Sequence, residues 1–208
     1  LKGTGTGVAF LAVTLRLKGS ETVIVPRMQP LLVDPRTPLI AVARIETLRG
    51  GAALDSAQRD RVIEHVLRIG RLPGIRAVQI DSDATVSERP FFRSLLADLR
   101  RRLRQNIGLS FTALASWCMG DDWLSGLPVD EVVPMLFAMG PDGPEIKSRL
   151  TEGGDFSSPL CQTSLGLSTR EPVVRSWPGR RIYLFSPAAW TEKAFREALQ
   201  KPPRQPPG

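Results

Sequence analysis

Short aliphatic runs alternate with amphipathic segments along most of this sequence, and that rhythm leaves few architectures open. Leu39–Glu46 (LIAVARIE) reads as a strand, rich in aliphatic residues and preceded by Pro38. Asp55 then opens a helix, with Gln58 three residues on as a capping-box partner. Val62, Val66 and Ile69 give that helix its apolar stripe, and Pro73–Gly74 closes the segment. Ile75–Asp81 is the next strand. Ser87 opens a second helix with Pro90 in its first turn, and Phe91, Leu95, Leu96, Leu99 and Leu103 lie on its apolar face.

Further strands are expected at Leu109–Ser116, Val132–Met139, Ser164–Ser168 and Arg181–Ser186, with helices near Glu145–Thr151 and Thr191–Gln200. Strand centres near residues 43, 79 and 113 are about 35 apart, a comfortable length for a βαβ unit. Such alternation implies a mainly parallel sheet. An open doubly wound sheet would want a glycine-rich phosphate turn after a strand. The GTGTG at Gly3–Gly7 precedes a strand instead and reads as a flexible arm. The expected fold is therefore an α/β, (β/α) TIM-type barrel. At 208 residues it is near the lower limit for eight units, so it is expected to be incomplete at its N-terminus.

The opening portion is less regular. Val8–Leu17 and Thr22–Val25 read as two strands joined by a Lys18–Glu21 turn, and Pro26–Pro38, with four prolines, as a loop. No low-complexity linker divides the chain, so residues 1–200 read as a single domain. The tail KPPRQPPG (201–208) is too proline-rich to extend the last helix.

Composition narrows the function classes without choosing one. Apolar residues make up 42% and charged residues 24%, enough for a packed core. No apolar run approaches the roughly 18 residues of a membrane helix. The net charge of +7 comes from 23 Arg and 5 Lys against 21 acidic residues. A basic domain raises the prior for nucleic acid, but the arginines are scattered. The one tight cluster, Arg100, Arg101, Arg102 and Arg104, sits at a helix end where cations favour the macrodipole. Nucleic acid is therefore not the expected partner. Cys118 and Cys161 have no zinc-site spacing; they either bridge in an exported protein or stay reduced and buried. No metal or cofactor is expected.

The segment AVQIDSDAT (Ala77–Thr85) carries the strongest chemical signal. Side chains alternate along a strand, so Gln79, Asp81 and Asp83 share one face while Val78 and Ile80 take the other. Three polar groups facing a dry core are costly, whereas at the mouth of a barrel they stand where active sites assemble. Two carboxylates with different environments suit general acid/base work on a glycosidic bond. The alternative reading has Asp83 cap the loop and Asp81 pair with an arginine. In LIAVARIE, Arg44 and Glu46 reach the same mouth: Arg44 as a partner for Asp81, Glu46 as a second acid or a surface residue. Ser110, Thr112 and Ser116 share a face of the following strand. Trp117 and Trp123 are candidates for stacking on a sugar ring, or for loop packing.

His65, the only histidine, reads as a helix-flank residue, and the Asp121/Asp122 and Asp130/Glu131 pairs as loop charge or helix caps rather than metal ligands. Trp177 and Trp190 flank the last strand and read as core.

The stretch from Val78 to Met139 (VQIDSDATVSERPFFRSLLADLRRRL, then LSFTALASWCMGDDWLSGLPVDEVVPMLFAMG) resembles a bacterial family of uncharacterised domains predicted to be glycoside-hydrolase-like (β/α) barrels. The matching motifs are Q-x-D-x-D at Gln79, Asp81 and Asp83, S-W-C at Ser116, Trp117 and Cys118, the later Trp123, and P-V-D-E-x-V-P-M at Pro128–Met135. Ser82 stands where the pattern has an aromatic residue. The resemblance implies an earlier chain start and an extracytoplasmic location.

These readings converge on a carbohydrate-active protein. Asp83 would be the general acid and Asp81 the base, nucleophile or electrostatic stabiliser, with Glu46 as an alternative partner. Gln79, Arg44, Ser116, Trp117 and Trp123 would bind substrate. The alternative is a non-catalytic barrel that binds saccharide or a protein partner.

Overall fold

A computed structural model describes residues 5–171 and 175–200 of the chain. The tail at 201–208 and the first part of the GTGTG arm lie outside those residues. The described residues group into two compact units. One runs to Thr112 and takes in Gly126–Asp130; the other comprises Ala113–Ser125 and the chain from Glu131 onward.

In the first unit, strands β1 (Val8–Gly19), β2 (Glu21–Pro26), β3 (Leu39–Ala52), β4 (Ile75–Asp81) and, as far as Thr112, β5 (Gly108–Leu114) lie in the order β2-β1-β3-β4-β5. β2 runs antiparallel to β1, and the other pairs are parallel. Gly19, at a φ of 51°, makes the reversal into β2. Helix α1 (Ser56–Ile69) follows β3 and helix α2 (Arg89–Arg102) follows β4.

Both helices cover one face of this sheet. Their buried stripes are Val62, Ile63, Val66 and Ile69 on α1, and Phe91, Phe92, Leu95, Leu96 and Leu99 on α2. The Phe92 ring lies 6.4 Å from that of Phe111 on β5. At the end of α1, a Cβ on Gly70 would come within 3.2 Å of Val78 on β4. Val78 and Phe111 therefore mark the helix-covered face. Alternation sends Gln79, Asp81, Ser110 and Thr112 to the opposite one.

Caps agree with local chemistry, with two changes. The Asp55 side chain accepts from the Gln58 amide at 2.7 Å, as a helix cap should. The Gln58 side chain, however, takes the Leu54 N–H (2.9 Å) and donates to the carbonyls of Gly19 and Glu21. This fully buried amide ties α1 to the β1–β2 turn. The second helical segment begins before Ser87, in a 3-10 turn at Val86–Glu88, because the Glu88 carboxylate captures the Thr85 N–H at 2.7 Å.

The second unit holds three parallel strands in the order β6 (Glu131–Met135), β7 (Ser164–Ser168) and β8 (Arg181–Phe185). Helix α3 (Gly143–Thr151) connects the first two and helix α4 (Glu192–Gln200) follows the last. A disulfide joins Cys118 to Cys161, both fully buried. The two cysteines are thus paired with each other rather than left as free thiols.

The expected barrel is not what forms. The sheet is mixed, and among the described residues only the β3–β4, β4–β5 and β6–β7 connections carry an α-helix. A (β/α) barrel alternates the two element types throughout. The chain between β2 and β3 carries the prolines that remove helix donors, and the Gly19 turn returns β2 antiparallel, so strands follow one another directly there. Two expected strands also end early. Ser116 falls in a 3-10 turn at Ala115–Cys118, and the strand expected to reach Met139 stops at Met135, ahead of the left-handed Ala138 and Gly140. Among the described residues, no helix is long and apolar enough to cross a membrane.

Candidate functional site

The helix-free face of the first unit carries a row of polar side chains across β1, β3, β4 and β5. Parallel pairing sets Arg16 beside Glu46, Arg44 beside Asp81 and Gln79 beside Ser110. Strand neighbours in register lie close enough for their side chains to bond, and these do. Arg16 Nε donates to Glu46 at 3.1 Å, and the Gln79 amide donates to Ser110 Oγ at 2.9 Å.

Arg44 is the centre of the row. Its Nε donates to Glu46 (3.0 Å), its Nη1 to Asp81 (2.8 Å) and its Nη2 to Asp83 (3.0 Å). One guanidinium thus serves three carboxylates, each on a different nitrogen of its rigid planar fork. The second oxygen of Asp81 accepts from Thr112 Oγ1 at 2.7 Å.

Burial grades the three acids. The Asp81 side chain is 18% exposed, Glu46 30% and Asp83 52%. The hydrogen bond from Arg44 holds the Glu46 carboxyl below the usual carboxylate range; burial opposes this and Arg16 adds to it. For Arg44, burial pulls its affinity for the proton down. The hydrogen bond and charge of Asp81, followed by the bonds to Glu46 and Asp83, outweigh that and leave the guanidinium charge more firmly held than usual.

The carboxylates are hydrogen-bond acceptors arranged around a cation, with Asp83 the most open. Arg16 and Arg44 against Glu46, Asp81 and Asp83 leave one net negative charge. Such a cluster can accept hydrogen bonds from ligand hydroxyls and can stabilise developing positive charge nearby.

Gln79, Asp81, Asp83, Arg44 and Glu46 are therefore brought together. Ser116, Trp117 and Trp123 belong to the second unit. The two indoles are 5% and 8% exposed and meet edge to face, 5.1 Å between centroids, so each packs against the other. Alternation along β1 puts Arg16 on this face, but only the β1–β3 register pairs it with Glu46. Glu131 is likewise not legible as one half of a buried pair: it accepts from the Tyr183 hydroxyl and from Arg181 Nη1.

Other candidates have local partners. Asp121 accepts from the Trp123 N–H and Asp130 from the Leu109 N–H. Each arginine of the basic cluster meets a neighbour: Arg100 Asp130, Arg101 Asp98, Arg102 Asp60 and Arg104 the Gly70 carbonyl. His65, on the flank of α1, has its proton affinity lowered, chiefly by burial. Among the described residues, no group of three or more His, Cys, Asp or Glu is placed to hold a metal ion.

Compared with family models, curated proteins and solved structures, the chain matches none.

Proposed function

We propose that the protein is carbohydrate-active and glycoside hydrolase-like, receiving a glycan beside the carboxyl end of β4. The observation that carries this reading is the Arg44 clamp, which holds Asp81 and Asp83 on two terminal nitrogens of one guanidinium at the end of a parallel strand. Ligands of parallel α/β sheets bind outside the carboxyl ends of the strands.

In the hydrolytic form, Asp83, at the open end of the cluster, is the general acid and carries the proton it donates when substrate binds. Asp81, oriented by Arg44 and Thr112, serves as base, nucleophile or electrostatic stabiliser. Glu46, held ionised, is an acceptor rather than a proton donor. The test is release of reducing ends from a polysaccharide panel by the parent protein, Asp81→Asn and Asp83→Asn. Release by the parent that collapses in either variant supports hydrolysis at this site. Equal release by all three proteins moves the chemistry elsewhere.

A second reading is a saccharide-binding module without catalysis. It is favoured by the same clamp, which already supplies a donor to each carboxylate. It predicts no release by any of the three proteins, together with glycan binding that weakens in Asp83→Asn.

A further inference from the structure

The second unit contains a cavity of about 250 Å³ beside the carboxyl ends of β7 and β8. Its lining includes Ser168, Thr169, Ser186, Glu171, Glu197 and Trp190. We infer that this cavity binds one neutral, polyhydroxylated six-membered ring, a pyranose, against the indole of Trp190.

Size comes first. Pockets for drug-sized ligands span about 300–1,000 Å³, so this one admits a single small ring and little more. Its position is where ligands of parallel sheets collect, outside the strand carboxyl ends.

Trp190 is the second observation. Trp117, Trp123 and Trp177 are 5–8% exposed, but Trp190 is 44% exposed and lines the cavity. Phe195 on α4 braces it in an edge-to-face contact, 6.3 Å between centroids. A large exposed indole held in one orientation is a stacking platform for the apolar face of a sugar.

Charge then separates a neutral ring from a cation. Both Glu171 oxygens are already occupied, by the Ala138 N–H at 3.0 Å and Lys147 Nζ at 3.2 Å. Glu197 has Lys193 at 3.9 Å, beyond hydrogen-bond distance. Each carboxylate thus has a cation of its own, and little net field remains to attract a charged ligand. Hydroxyl groups remain: Ser168 Oγ accepts the Arg170 N–H and can still donate, whereas Ser186 Oγ donates to the Ala188 carbonyl and accepts the Ala188 N–H, so it offers a ligand one remaining lone pair. With the Glu197 carboxylate they form a polar rim around an aromatic wall, which suits ring hydroxyls and a C–H face.

This inference does not rest on the carboxylate cluster of the first unit. The experiment is saturation-transfer NMR on the whole chain with four probes: the methyl pyranosides of glucose, galactose and mannose, and N-acetylglucosamine. Parent protein, Trp190→Ala, Trp190→Phe, Glu197→Gln and Asp81→Asn are compared, with folding checked by circular dichroism. The inference expects transfer to the ring protons of at least one probe, with a component that persists in Asp81→Asn and depends on Trp190. Binding should weaken roughly tenfold in Trp190→Ala, less in Trp190→Phe, and several-fold in Glu197→Gln, whose exposed helical position tolerates the change. No transfer to any probe, or transfer unchanged in both Trp190→Ala and Glu197→Gln, overturns it. Transfer abolished by Asp81→Asn alone also overturns it, and assigns the sugar to the first unit instead.

Discussion

Arg44 and Asp81 stand side by side in the β3–β4 register, and the guanidinium donates to the carboxylate at 2.8 Å although 37 residues separate them in the chain. Pairing two parallel strands puts opposite charges in contact, and the same cation then gathers Glu46 and Asp83. Replacing Arg44 by Met leaves three carboxylates clustered without their common partner. The groups are partly exposed, so the cost is less than that of a fully buried pair: about 1–3 kcal/mol. Urea unfolding of Arg44→Met measures it. Asp83→Asn, at the open end of the cluster, should cost under about 1 kcal/mol.

Acid should loosen the same cluster. The Arg44 hydrogen bond, working against burial, holds Glu46 below its ordinary value of 4.5 in the folded chain. The unfolded chain therefore binds protons first as pH falls. The contribution of Glu46 to stability is present in full above pH 4.5 and is lost as pH drops through the lower, folded value. Unfolding free energy measured from about pH 5 down to about pH 3 should fall less steeply in Glu46→Gln than in the parent. Parallel slopes would remove Glu46 from the account.

Gln58 makes a different kind of link. Its side chain is fully buried and satisfies one N–H and two carbonyls, those of Leu54, Gly19 and Glu21. Gln58→Leu keeps the volume but strands the Leu54 N–H and removes the side-chain donor to the Glu21 carbonyl, at about 1–3 kcal/mol, while the Gly19 carbonyl keeps the Ala53 N–H at 2.7 Å. Amide hydrogen exchange should show the β1–β2 turn opening more readily, while Asp55 still caps α1.

The Cys118–Cys161 disulfide closes a separation of 43 residues. Loop-closure entropy puts the destabilisation on cutting it at about 4 kcal/mol. The Cys118→Ala/Cys161→Ala protein should unfold at a lower urea concentration than the oxidised parent. Reductant should shift the parent towards the variant and leave the variant itself unmoved.

Tyr183 is the only tyrosine, so its ionisation can be followed by absorbance without overlap. Burial first, then the hydrogen bond to Glu131 and its charge, raise the phenol above its ordinary 10.0. Folded protein should show no phenolate band at that pH. The unfolded chain releases this proton first, so the stabilisation is whole below pH 10.0 and declines as pH climbs towards the folded value. Tyr183→Phe should abolish that alkaline decline and cost about 1–3 kcal/mol at neutral pH, because Glu131 loses a buried donor.

Local pattern alone determined much of the secondary structure. The Ile75–Asp81 and Ser164–Ser168 strands, the Asp55 cap and the apolar stripes of α1 and α2 follow from periodicity and capping, which act over a few residues. The alternation that sets Gln79 and Asp81 on one face of β4, and Arg44 and Glu46 on one face of β3, is equally local, and it makes both halves of the cluster legible in the sequence. What the tertiary structure alone decided were the pairings between distant strands. The antiparallel β2 and the helix-free connections ruled out the barrel that the same rhythm had implied. The β3–β4 register turned Arg44 from one option for Asp81 into the common partner of three acids. Packing of Trp117 on Trp123 closed off two rings that the sequence offered as a sugar platform, and left Trp190, read as core, exposed beside a cavity. A residue's period says which neighbours share its face. Which strand lies beside it, and which aromatic ring is covered, depends on contacts between segments far apart in the chain, and these are settled only when the whole core packs.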